Sequence, residues 1–173
     1  MLRNGCRCAV IEASSHGLHQ HRTGNVRFAG AIFTNLTGDH LDYHHTMEAY
    51  YQAKKLLFSE MLRPGAPAVV NIDDEWGSRL VSELPGKRVL TLSRENPDAD
   101  GYIHSVSLSG SGTEFSLRTA GREIRIKSVL IGEHNVCNMS LAALAAYACG
   151  VPAELIAETL SAPDIAPPGR LEP

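Results

Sequence analysis

A chain of 173 residues with 43% hydrophobic side chains is long enough for one domain of ordinary size with a real core. Its formal net charge of −3, with Lys and Arg scattered rather than clustered, excludes a long-range pull toward nucleic acid or an anionic membrane. No run reaches the ~18 apolar residues that membrane insertion by a helix needs, and the first residues lack a signal-peptide pattern. Four cysteines (Cys6, Cys8, Cys137, Cys149) without a C-x-x-C pair fit a reducing cytoplasm.

In chain order, residues 8–13 (C-A-V-I-E-A) and 31–34 are short apolar runs that predict buried strands, each ending where polar residues begin. Thr46 is placed to cap a helix running to about residue 62, which Pro64-Gly65 breaks. A strand over 68–72 ends in N-I-D-D, a short helix covers about 74–84, and a strand covers 88–92. This alternation predicts an α/β fold, a mainly parallel open sheet flanked by helices, whose ligands gather beyond the carboxyl ends of the strands. Residues 102–131 alternate apolar and polar around turns at 110–112 and 120–122, as a small antiparallel β meander does. G-E-H-N then leads into an alanine-rich helix over 136–149, and Pro152 opens another that ends near residue 161. The tail A-P-P-G-R-L-E-P has the composition of a linker.

The chemistry concentrates in residues 34–58. Met47, Tyr50, Tyr51, Leu57, Phe58 and Met61 recur at i, i+3/i+4, with Lys54 inside the apolar stripe and Lys55 beside it. An inward lysine needs a partner or an altered charge; the alternative is a stem packed on the core with its ammonium reaching water. Six of the eight histidines lie between His16 and His45. Glu12 terminates the first apolar run and is followed by Ser14, Ser15 and His16, while His40, flanked by Asp39 and Asp42, follows the next strand. Mixed carboxylate and imidazole donors of this kind suit Mg2+ or Mn2+, although each histidine taken singly is equally a surface or capping residue. Asn135 and Asn138, three apart at a helix start, suit polar ligand groups or plain capping.

Together these strings resemble the Mur ligase family, and most closely its MurE type, the tripeptide synthetases. The matches are E-A-S-S-H-G-L-x-Q-H-R at 12–22, T-N-L-x-x-D-H-L-D-Y-H at 34–44, M-E-A-Y-x-x-A-K-x-L-x-F at 47–58, N-I-D-D-E at 71–75, G-x-H-N-x-x-N at 132–138 and G-R-L-E at 169–172. The resemblance implies a P-loop-NTPase-like central domain over residues 1–165, then the start of a linker to a C-terminal domain over 166–173. It implies an ATP-dependent ligase that adds a diamino acid, meso-diaminopimelate or L-lysine, to UDP-MurNAc-L-Ala-D-Glu through an acyl phosphate. By motif position, Glu12, His40 and a carbamylated Lys54 would serve catalysis and hold Mg2+. Asn135, Asn138 and Arg170 would bind ATP, and Ser14, Gln20 and Arg22 the UDP-MurNAc portion.

The family's phosphate loop belongs upstream of Glu12, so the chain reads as an inactive fragment of a longer ligase. Gly38 stands where many relatives have arginine, and His45 where they commonly have glycine. Three other readings share some of these features: another Mur-type ligase or folylpolyglutamate synthetase, a noncatalytic nucleotide-binding homologue, and a metal-dependent hydrolase. The last wants an H-x-H-x-D-H type cluster, which the sequence lacks.

Overall fold

The structure, a computed structural model, describes residues 5, 8–38 and 41–163. Its centre is one six-stranded sheet in the order β1 (Ala31–Phe33), β2 (Ala68–Asn71), β3 (Val89–Ser93), β4 (Gly101–Ser109), β5 (Gly112–Thr119) and β6 (Arg122–Ser128). The first four strands pair in parallel and the last three antiparallel, so the predicted meander is the continuation of the parallel sheet rather than a body apart. Parallel strands ordinarily need a long crossover. The link from β3 to β4 is short because they pair only at Leu92–Gly101 and Ser93–Tyr102. Asp100 Oδ2 takes up the next donors along β3, accepting from Thr91 N at 2.8 Å and Thr91 Oγ1 at 2.9 Å.

Alternation along the strands divides the interior into two cores. On β2, Ala68 and Val70 face one side, packing with Phe33, Tyr51, Phe58 and Leu80. Val69, between them, faces the other side with Leu92, Phe115, Leu117, Ile124, Leu141 and Leu144. A strand buried on both faces reads as a continuous apolar run, which is why A-V-V stood out in the sequence. Helices α3 (Met47–Ser59) and α4 (Glu75–Ser82) line the first face, and α5 (Glu133–Ala148) and α6 (Ala153–Leu160) the second. Thr46 caps α3 as predicted, its hydroxyl accepting from Ala49 N at 3.1 Å. Asp74 caps α4 by accepting from Gly77 N at 3.0 Å. A Cβ on Gly77 would stand 1.9 Å from Asn71 O, so this glycine sets how closely α4 approaches the end of β2.

The predicted strand over 8–13 does not form. Residues 8–13 pair with no strand among the described residues, Val10 is 99% and Ile11 51% exposed, and β1 lies at an edge of the sheet. A β conformation is held by its ladder, and on that side of β1 no ladder is made among the described residues. Two short helices that periodicity could not reveal, α1 (Ser15–His19) and α2 (Leu41–His44), lie on either side of β1 in the chain.

Candidate functional site

The carboxyl ends of β1, β2 and β3 form a polar crest. Asn71 Nδ2 donates to Thr34 O at 3.0 Å, and Asp74 Oδ2 accepts from Leu36 N at 3.4 Å. The Asp73 carboxylate takes the Ser93 hydroxyl and, at 2.8 Å, Arg94 N. Arg94 in turn meets Glu133 at 3.3 Å, which fixes the N-terminus of α5 over the same crest. Asn135 and Asn138 lie one turn apart there, but they differ in exposure. Asn135 is buried and donates through Nδ2 to Ile131 O at 2.9 Å, whereas Asn138 is exposed. The helix cap is Gly132, at φ 108, rather than Asn135. Beside them the Cys137 thiol is pushed up to about 11 by burial, with the Asp73 carboxylate adding to the effect.

A second group gathers where α1 and α2 meet α3. The ring of His16 lies 3.9 Å from that of Tyr43 and 5.5 Å from that of His44, which is buried and stacked on Tyr50 at 5.2 Å. Lys54 Nζ stands 5.6 Å from the centre of the Tyr50 ring, and its side chain is half-buried. Lys54 thus stands beside Tyr50, the ring that stacks on His44. Ser14 caps α1, its hydroxyl accepting from Gly17 N at 3.1 Å, and Gln20 and Arg22 follow on the exposed turn beyond it. Glu12 is exposed, two residues before the cap. His40 and Arg170 lie outside the described residues, as do Asp39, Cys6 and the 166–173 tail. Among the described residues, no three His, Cys, Asp or Glu side chains close into a metal cluster.

The neighbouring lysine, Lys55, is engaged by a carboxylate. Lys55 does not point freely to solvent: its Nζ bonds Glu83 Oε2 on the turn after α4 at 2.7 Å. Glu83 also accepts from Tyr51 OH at 2.9 Å and Arg79 Nε at 2.7 Å. Arg79 reaches on to Glu48 at 2.5 Å and lies over the Tyr51 ring at 4.4 Å. The Lys55 ammonium, then Arg79 and Tyr51, hold the Glu83 carboxyl down at about 2, and Arg79, then Gln52, hold Glu48 at about 2. This network clamps α3 to α4 on the face next to the one that carries Lys54.

His45 has φ 63, in the left-handed region where glycine is at home. Gly38 has no atom within 4 Å of where a Cβ would stand, so a longer side chain fits there without displacement. A hollow at the opposite end of the sheet, between the start of β3 and the end of α5, holds Arg88 and Arg118. Their guanidinium groups are used on Ala148 O and Pro97 O. It carries none of the residues singled out in the sequence.

A family profile described as the Mur ligase middle domain matches residues 1–146. The UDP-N-acetylmuramoyl-L-alanyl-D-glutamate--2,6-diaminopimelate ligase of Synechococcus sp. (strain WH7803) is 41% identical over 174 residues, covering 99% of this chain and 34% of that protein. The ligase of the same name from Gloeobacter violaceus is 42% identical over 172 residues, again covering 99% of this chain and 34% of its own length. The chain thus spans about a third of the length of these curated relatives. A solved structure of a ligase of that name superposes with a TM-score of 0.83 at 34% identity, covering 92% of this chain and 33% of that one. MurF from Acinetobacter baumannii shares the fold, with a TM-score of 0.74 at 22% identity over 83% of this chain and 31% of that one.

Proposed function

The chain belongs to the Mur ligase middle-domain family, and from that premise we propose that it is most of the central ATP-binding domain of a ligase that joins diaminopimelate to UDP-MurNAc-L-Ala-D-Glu in peptidoglycan biosynthesis. The reading rests on the match over 99% of this chain to proteins of that name. The gathering of its motif residues around α1, α2 and the carboxyl ends of the strands supports it. ATP is a substrate of the family's chemistry. The terminal carboxylate of the UDP-linked dipeptide attacks the γ-phosphorus, ADP leaves, and the amine displaces phosphate from the acyl carbon to form the amide. Both nucleotide substrates belong to the cytoplasm, and we assign the reaction there.

Glu12, His40 and Lys54 would hold Mg2+. A carboxylate, an imidazole and a carbamate oxygen are donors of the kind a hard divalent cation accepts. When bound, the cation supplies charge neutralisation at the phosphoryl oxygens. Lys54 would serve as a carbamate, formed when its neutral amine takes CO2 and releases a proton; partial burial beside the Tyr50 ring favours the neutral amine that this chemistry needs. Asn135, Asn138 and Arg170 would meet the nucleotide, and with Nδ2 of Asn135 bonded to Ile131 O, its Oδ1 is the atom left to accept from a ligand. Ser14, Gln20 and Arg22 would hold the UDP-MurNAc portion, Arg22 as a forked donor to phosphate or carboxylate.

The complete ligase, supplied with ATP, Mg2+, bicarbonate and UDP-MurNAc-L-Ala-D-Glu, is expected to form ADP, phosphate and tripeptide in equal amounts with diaminopimelate. Absence of tripeptide with diaminopimelate and with L-lysine alike would overturn the assignment.

A further inference from the structure

Tyr43, on α2, is a residue to which no role has yet been given. Its hydroxyl lies 3.0 Å from His19 Nδ1 and 3.2 Å from Gln20 Nε2, and its ring is packed 3.9 Å from that of His16. All three partners belong to α1 or its C-cap, so one side chain joins the substrate-facing turn to the helix that follows His40. The hydroxyl donates to one partner and accepts from the other when His19 is the tautomer that accepts at Nδ1. Gln20 Nε2 donates to the phenolic oxygen, the phenolic hydrogen goes to His19 Nδ1, and the Gln20 carbonyl oxygen and second amide hydrogen remain for a ligand.

We propose that Tyr43 is a positioning residue for the UDP-MurNAc portion of the substrate, acting through Gln20. Gln20 is exposed at the end of a five-residue helix. A side chain there with three free rotations loses much of its binding contribution to ordering unless it is held beforehand, and the Tyr43 hydroxyl holds it with the amide the right way round. The proposal rests on the assignment of Gln20 to the substrate site.

The test is a double-mutant cycle on the complete ligase, with the Kd for UDP-MurNAc-L-Ala-D-Glu measured by titration calorimetry and the Kd for a non-hydrolysable ATP analogue measured beside it. Tyr43→Phe removes only the hydroxyl and keeps the ring against His16. It is expected to weaken the UDP-linked dipeptide about 3- to 10-fold and leave nucleotide affinity unchanged. In a Gln20→Ala background the same change is expected to cost nothing more, because its only route to the substrate is gone. An unchanged Kd in Tyr43→Phe, or an undiminished further loss in the double variant, overturns the proposal while leaving the ligase assignment standing. Failure of the wild type to bind the UDP-linked dipeptide overturns both.

Discussion

Two adjacent lysines on one helix meet different neighbours because they stand about 100° apart around its axis. Lys54 follows Tyr50 by one turn and stands beside its ring, while Lys55 follows Tyr51 by one turn and meets Glu83. The periodicity of α3 made the direction of Lys54 legible, because a 3.6-residue repeat fixes which positions leave the solvent face. It could not reveal the role of Lys55. Glu83 is 28 residues away, and only the packing of α4 beside α3 brings it near. The two lysines are therefore expected to separate in two measurements. With 13C-bicarbonate, the complete ligase should give a carbamate signal that Lys54→Ala loses and Lys55→Ala keeps, and Lys54→Ala should lose most of its activity. Lys55→Ala should lower the melting temperature by releasing Glu83, an effect that a solvent-directed lysine would not have. A carbamate signal that disappears with Lys55 instead would mean that the site is served by the other face of α3.

At the scale of elements, long periodic segments were legible and short ones were not. α3, α4, α5 and α6 each have a cap signal or an apolar stripe, and their positions agree with the sequence to within a few residues. α1 and α2 are five and four residues long, too short for a repeat to show, and they form where Ser14 caps and where the turn ends at His45 in the left-handed region. The apolar run over 8–13 had the composition of a strand, yet composition supplies no neighbour to pair with. The clamp between α3 and α4 carries a prediction in pH. The Glu83 carboxyl is depressed from 4.5 to about 2 in the folded chain, so the stability it contributes is fully present above about 4.5 and is lost as the pH falls through about 2. The melting temperature of wild type is expected to exceed that of Glu83→Gln near neutral pH, with the gap closing between those two values. A gap that stayed constant over the whole acid range would show that the carboxylate's charge contributes nothing to holding the helices together.

For the whole molecule, the parallel half and the antiparallel half were both legible as patterns, but their union in one sheet was not. The joint is only two residue pairs long, at Leu92–Gly101 and Ser93–Tyr102, and no periodicity marks it. Its consequence is that the two cores lie on opposite faces of a single continuous ladder. β2 contributes to both: Val69 is fully buried among the side chains of α5, β5 and β6, and Val70 is fully buried toward α3 and α4. Removing two methyl groups from either site leaves a void of similar size and costs about 2 kcal/mol. Because the backbone between them is shared, each loss should be felt on both faces. Val69→Ala and Val70→Ala are therefore expected to lower the unfolding free energy by similar amounts in a single transition. Each should also speed hydrogen exchange of the slowest amides in α3 and in α5 alike. Ile32→Ala, on the edge strand and 39% exposed, should move neither set by more than a fraction of that amount. If Val70→Ala quickened exchange in α3 while α5 kept its protection, the two faces would open independently, and α5 would not depend on the packing beneath Lys54.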